Sequence, residues 1–299
     1  MSTQTDTEPA KPAQTLTDRA AKIAAAVSSQ PEQAVPMVFD ERDRIVVGTP
    51  CYGGNVKMGF MTSYNEALLH VHIRVTGENG EPELQPLIAE SMFLDKESHI
   101  DRARNKIVAK FLAGRYNWLL FIDADIVFPA QAIARLWQHG MIGKKIVTAP
   151  YALKGVVPQF AINGKAGAKA DERGLVEVVH AGTGFMLIHR SVFDQIRDAG
   201  LAPEYNLGSN DPDIHTLKTS RAFFKSGVRE VTPGNHIWLS EDYMLCHEWR
   251  NLGGQIFTDT KVALSHIGDL TYPANPKEIF AAVAELRRIK HQDCPETLV

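Results

Sequence analysis

The run Trp118-Leu119-Leu120-Phe121-Ile122, closed by Asp123-Ala124-Asp125, constrains this chain more than any other feature. A short unbroken apolar stretch bounded by polar residues suits a strand buried on both faces, the kind found in parallel sheets covered by helices. A second such segment, Arg44-Ile45-Val46-Val47-Gly48, is stopped by Thr49-Pro50 and loosened by Gly53-Gly54. Helical patterns fall between and after them. Thr62 to Val71 places Tyr64, Leu68 and Val71 near one face. Ile100 to Ala113 carries Ile107, Val108, Phe111 and Leu112 as a stripe closed by Gly114, and Ala130 to His139 is a third helix. Ile146 to Ala149 is again strand. Alternation of this kind predicts an α/β fold, a parallel sheet with crossover helices.

The second half changes character. Gly164 to Gly174 reads as a hairpin or mobile loop and Gly200 to Gly234 is long and weakly periodic, whereas Gly77 to Gln85, a hairpin or loop, interrupts the first half. Lys277 to His291 is predicted to be a closing helix. Residues 1–38 are polar, rich in Thr, Gln, Ala and Pro, and are expected to form a flexible tail with a short Ala-rich helix from Thr17 to Val27. The remaining 39–299 are expected to form one domain.

A net charge of −3 gives no general attraction to nucleic acid or to an anionic membrane. There is no apolar run of the roughly 18 residues needed to span a bilayer, and no apolar leader, so the expectation is a chain that is not an integral membrane protein. Cys51, Cys246 and Cys294 are scattered without a C-x-x-C pair, which fits a reducing, cytoplasmic setting better than a disulfide framework.

The chemistry centres on Asp123-Ala124-Asp125. Two acids one residue apart, just past a buried strand, lie at the carboxyl end where open α/β sheets bind ligands. Their hard oxygens suit Mg²⁺ or Mn²⁺, which also hold a diphosphate; the plainer explanation is solvated acids at a turn. Asp101-Arg102-Ala103-Arg104-Asn105 opens the preceding helix, where two arginines and the helix N-terminus can neutralise phosphates, or simply form a charged helix start. Ala181-Gly182-Thr183-Gly184-Phe185 is a glycine-bounded turn into an apolar strand, open to close backbone approach by a ligand or merely a tight bend. Ser240 reads as the N-cap of a helix through Trp249, with Glu241 and Asp242 as complements to its dipole. His266 follows the strand Val262-Ala263-Leu264-Ser265.

In this order the pieces resemble the GT-A glycosyltransferases, from about Ile45 to His266, and R-A-R-N through D-A-D-I is similar to family 2-type enzymes and to fungal mannan-polymerase-type mannosyltransferases. The resemblance implies a GT-A type Rossmann-like fold, with a mixed, mostly parallel central sheet flanked by helices, over 39–299 as one catalytic domain with acceptor-side loops in its second half. It also implies transfer of a sugar from a UDP- or GDP-linked donor to an unidentified acceptor with Mn²⁺ or Mg²⁺. It implies Thr49 and Pro50 beside the base, and Arg102, Arg104 and Asn105 beside the ribose or phosphates. Asp123 would face the ribose or a metal-bound water, Asp125 would ligate the metal, and His266 would complete its shell. Gly182, Thr183 and Gly184 would floor the sugar pocket. Glu241 and Asp242 would face the acceptor, with Asp242 as base. Family 2 chains often carry another base-contacting Asp, for which Gly77 to Asp95 offers no clear match. Two alternatives stand beside this. One is a haloacid-dehalogenase-type phosphatase, because Asp123-Ala124-Asp125-Ile126-Val127 fits D-x-D-x-[TV], although Phe128 replaces the usual Gly. The other is a nonenzymatic nucleotide- or sugar-binding protein.

Overall fold

Both apolar runs are strands. In a computed structural model, which describes residues 37–77, 79–155, 159–268 and the backbone of 271–274, β1 (Ile45–Pro50) and β5 (Trp118–Ile122) lie parallel, with Ile45 opposite Trp118 and Gly48 opposite Phe121. Backbone proximity divides the chain into Met1–Met37 and Val38–Val299, and the second unit is described below. The helices predicted near 17–27 and 277–291 lie outside the described residues, as does Cys294.

After β1 come α1 (Met58–His70), the hairpin β2 (His72–Thr76) and β3 (Pro82–Pro86), β4 (Ile88–Leu94) and α2 (Ile100–Ala113). After β5 come β6 (Ile126–Val127), α3 (Gln131–Met141), β7 (Ile146–Thr148), β8 (Ile162–Gly164), β9 (Leu175–Ala181), β10 (Phe185–His189) and α4 (Arg190–Asp198). The segment that reads as a weakly periodic loop holds β11 (Glu204–Asn206), β12 (Thr219–Arg221) and β13 (Gly227–Thr232), which pairs with β14 (Asn235–Leu239). Its strands are short or, in β13, only half-buried on one face, so they carry no apolar alternation for a sequence reading to detect. The chain continues through α5 (Glu241–Asn251), β15 (Ile256–Asp259), β16 (Leu264–Ile267) and β17 (Thr271–Ala274).

The central sheet has the order β4-β1-β5-β10-β7-β15-β9-β8. By its pairings six strands share one direction, while β9 and β10 oppose it. This is the expected α/β architecture, a mixed and mostly parallel central sheet flanked by helices.

Alternation along each strand feeds two cores. Ile45, Val47, Leu120 and Ile122 face a layer with Phe60 and Tyr64 of α1 and Ile133 and Leu136 of α3. Val46, Leu119 and Phe121 face Ile107 and Phe111 of α2, Phe193 of α4 and Leu245 of α5. Burial on both faces is why the runs are apolar throughout. Gly48 lets α2 come close, since a Cβ there would lie 2.5 Å from Ile107 Cγ2.

Candidate functional site

Asp123, Ala124 and Asp125 occupy the turn between β5 and β6, closed by the Ile126 N–H donating to Asp123 O at 3.1 Å. The two residues of β6 pair with β16, Ile126 opposite His266, and the Ile267 N–H donates to Asp125 O at 2.8 Å. That pairing carries a histidine from far along the chain to the acidic turn. His266 Nε2 lies 3.3 Å from Asp125 Oδ1, and Lys154 Nζ lies 2.5 Å from Asp125 Oδ2. Burial opposes ionisation of Asp125, but His266 and Lys154 outweigh it and hold its carboxyl below the usual range.

The second half of the site is tied to the first by one side chain. Arg104, on α2 and buried, bonds Asp123 through Nη2 at 3.1 and 3.3 Å and Glu241 through Nη1. Burial alone would favour a neutral guanidine, yet Asp123, Glu241 and Asp242 reverse this and raise its pKa above the ordinary value. Glu241 shows the opposite balance. Its burial, with a contribution from Asp242, raises its pKa despite the attraction of Arg104. Asp242 accepts hydrogen bonds from Ser240 Oγ and, at 2.8 Å, from the Tyr243 N–H. Ser240 thus occupies the N-cap position, but its hydroxyl serves Asp242 rather than a backbone N–H of the first turn.

Tyr151, buried just past β7, fills the space beside the glycine turn. Its hydroxyl accepts from the Gly184 N–H at 3.2 Å, and its ring meets His266 edge-on at 5.4 Å. A Cβ at Gly184 would lie 2.8 Å from Tyr151 Cζ and 3.0 Å from Asp123 Oδ2, so glycine is needed there for packing against the tyrosine and the acid. A cavity of about 650 Å³ opens over these groups, lined by Pro50, Tyr52, Lys57, Asp123, Asp125, Lys154 and His266 among others.

Not every residue singled out in the sequence converges here. Arg102 points away and pairs with Glu97 and Asp211 at 3.4 and 3.2 Å. Asn105 is buried, and its amide clamps the backbone of Phe224, donating to its O and accepting from its N–H, both at 2.8 Å. These two side chains are spent on holding the 200–234 segment against α2. Thr49 and Thr183 are fully buried, with hydroxyls that find no partner among the described residues, so of the Thr49-Pro50 pair only Pro50 lines the cavity. Tyr151, Lys154 and Lys57 are members that the sequence reading missed. The rule that pointed to the end of β5 also applies to β7, whose following residues include Tyr151 and Lys154. Asp95 follows β4 beside Cys51, whose thiol is raised by burial and by that carboxylate.

Among the described residues no three His, Cys, Asp or Glu side chains group so as to hold a metal ion, and no helix is long and apolar enough to cross a membrane. No protein-family model matches the chain, and no curated protein matches it. Solved structures do. A197 from STIV is 16% identical, with 75% of this chain and 86% of that chain covered and a TM-score of 0.46. GalNAc-T7 with UDP, GalNAc and Mn²⁺ is 11% identical over 86% of this chain and 54% of that one, with a TM-score of 0.44. The CMP:2-keto-3-deoxy-manno-octonic acid synthetase complexed with CTP is 11% identical over 84% and 100%, with a TM-score of 0.37. The likeness is one of coarse α/β architecture.

Proposed function

We propose that residues 39–299 form a glycosyltransferase that moves a sugar from a UDP- or GDP-linked donor to an acceptor hydroxyl with the help of Mn²⁺ or Mg²⁺. The observation that carries this is the bridge by Arg104 between Asp123, at the rim of the cavity, and Glu241, next to Asp242. A donor end with cationic and acidic groups is thereby fixed against a second acidic pair. That arrangement suits transfer between two bound molecules.

Asp125 and His266 fit a divalent cation. Ala152 O can only accept, so His266 Nδ1, 2.8 Å away, donates to it, and Nε2 is the ring atom that faces Asp125 and would face a bound cation. Asp125 Oδ1 and His266 Nε2, 3.3 Å apart, would hold the cation. Mg²⁺ is commonly held by one or two protein groups, with substrate phosphates and water supplying the rest. A bound cation supplies positive charge that stabilises the departing diphosphate. Lys154 and Lys57, both at the cavity, add to that charge.

Asp242, oriented by Ser240 and the Tyr243 N–H, accepts the proton of the acceptor hydroxyl in an inverting reaction and positions that hydroxyl in a retaining one. Glu241 is held by Arg104 and serves as its anchor. The phosphatase alternative is less well supported, because Asp123 would have to attack as a free carboxylate while it is ion-paired to Arg104, and because β5 is not the first strand of the sheet. The test is a panel of UDP- and GDP-sugars with Mn²⁺, Mg²⁺ or chelator, read by thermal shift and by release of nucleoside diphosphate. A metal-dependent shift with one base, and turnover with one sugar, is expected. No metal-dependent response to any nucleotide would remove the proposal.

A further inference from the structure

We infer that Trp238 is a carbohydrate-binding platform on which a sugar ring of the acceptor stacks while a hydroxyl of that acceptor reaches Asp242. This deepens the glycosyltransferase reading and rests on it for the direction of transfer. The chain has four tryptophans. Trp118, Trp137 and Trp249 are buried, whereas Trp238 is 69% exposed, and its indole N–H has no partner among the described residues. It stands on β14, in a two-stranded sheet separate from the central one, and β14 runs directly into Ser240, Glu241 and Asp242. Three residue steps separate Trp238 from Glu241, at most about 10 Å of extended chain.

The pairing of the hairpin decides among possible occupants. Trp238 lies opposite Val228 and His236 opposite Glu230, so these four side chains share one face. Ile237, the other exposed apolar residue of β14, lies on the opposite face with Arg229, which reaches Glu248 at 3.5 Å. Val228 is exposed as well, so Trp238 and Val228 form a small apolar pair on one face, with Ile237 on the other. Two apolar side chains bordered by His236 and Glu230 make a patch smaller than the several hundred Å² typical of a protein or bilayer contact. A flat aromatic ring beside one valine and flanked by a histidine and a carboxylate is instead the size and chemistry of a single sugar. The apolar C–H face of a pyranose packs on an indole, and its hydroxyls take hydrogen bonds from polar neighbours.

Because Trp238 is the one exposed tryptophan, its emission can be followed directly. The full-length protein is titrated with maltotriose, cellotriose, mannotriose and chitotriose, and acrylamide quenching of tryptophan fluorescence is read at each step. One or more of these should protect the exposed emission. Trp238→Ala should weaken binding of that sugar about ten-fold or more by calorimetry, while Trp238→Tyr, which keeps a flat ring, should stay within a few-fold of wild type. In both variants the metal-dependent thermal shift with nucleoside diphosphate should be unchanged. Wild-type sugar affinity in Trp238→Ala would overturn the inference, as would the absence of protection by all four sugars. Concentration-dependent self-association abolished by Trp238→Ala would also overturn it, in favour of a second copy as occupant. If sugar binding depends on Trp238 but no nucleotide sugar is turned over, the platform stands and the transferase reading falls. Donor turnover without any oligosaccharide binding does the reverse, keeping the transferase and removing the platform.

Discussion

Replacing Arg104 with methionine keeps most of the side-chain volume and removes the charge that joins the two acidic groups. Its guanidinium is buried and ion-paired to Asp123 and Glu241. Breaking a buried pair by deleting one partner costs about 3–5 kcal/mol. Asp123 retains partial exposure, and water can reach it once the arginine is gone, so the lower end, about 3 kcal/mol, applies at pH 7.5. For a domain of this size that corresponds to a fall in Tm of roughly 6–12 °C.

The loss should depend on pH, and its sign follows from Glu241. Its pKa in the fold is raised by burial, so the folded state binds that proton more tightly than the unfolded chain does. The associated stability is therefore fully present below the ordinary carboxylate range and is lost as pH rises through the raised value. Without Arg104 the burial of Glu241 goes uncompensated and the drop grows. Scanning calorimetry on wild type and variant at pH 5 and 7.5 should thus find a smaller deficit at the lower pH. A deficit of a degree or less, or one equal at both pH values, would refute the claim that Arg104 neutralises this pair.

Asp125→Asn should abolish the metal-dependent part of nucleotide binding while circular dichroism and Tm stay near wild type; undiminished metal dependence would exclude Asp125 as a ligand. Asp242→Asn should bind donor and metal nearly normally yet lose kcat by roughly 10²–10⁴-fold, the range for removal of a general base, and near-normal turnover would leave Asp242 a purely structural role at the start of α5. Asp259 is buried and receives Arg135 at 2.7 Å and His139 at 2.9 Å, partners that outweigh burial and depress its pKa. Its stabilisation is present above the ordinary carboxylate range and lost as pH falls through the depressed value. Asp259→Asn should therefore cost about 3 kcal/mol or more at neutral pH and much less in acid, measured by denaturant titration at both.

What the sequence made legible was local. Ile100–Ala113 and Trp118–Ile122 have the boundaries that periodicity and flanking residues predict, because each is decided within a few residues of chain. The meeting of Asp125 with His266 depends on β6 pairing with β16, a contact between segments some 140 residues apart that no local pattern announces. R-A-R-N is an instructive case. At about 100° per residue, Arg102 and Arg104 lie roughly 200° apart around α2, so both cannot enter one cavity. Helical geometry alone separates the arginine of the site from the one that holds Asp211. The hairpin β13–β14 escaped notice for another reason, since β13 alternates only between half-buried and exposed positions, β14 is mostly exposed, and neither carries apolar alternation in its sequence.

The position of β15 also fixes the order in which this molecule can be built. It pairs with β7 on one side and β9 on the other, yet it is made more than 70 residues after either. On a ribosome, strands β4, β1, β5, β10 and β7 can assemble with their helices, and β8 can fold back on β9, while both groups wait with an unpaired edge. Emergence of residues 256–259 closes the two edges together, and residues 264–267 then bring His266 to the acidic turn. Long-range closure of this kind is slow and leaves strand edges open to mispairing. A chain that stops before residue 256 therefore keeps Asp123, Arg104 and Glu241 in its sequence but lacks the segment that joins the two halves of its sheet.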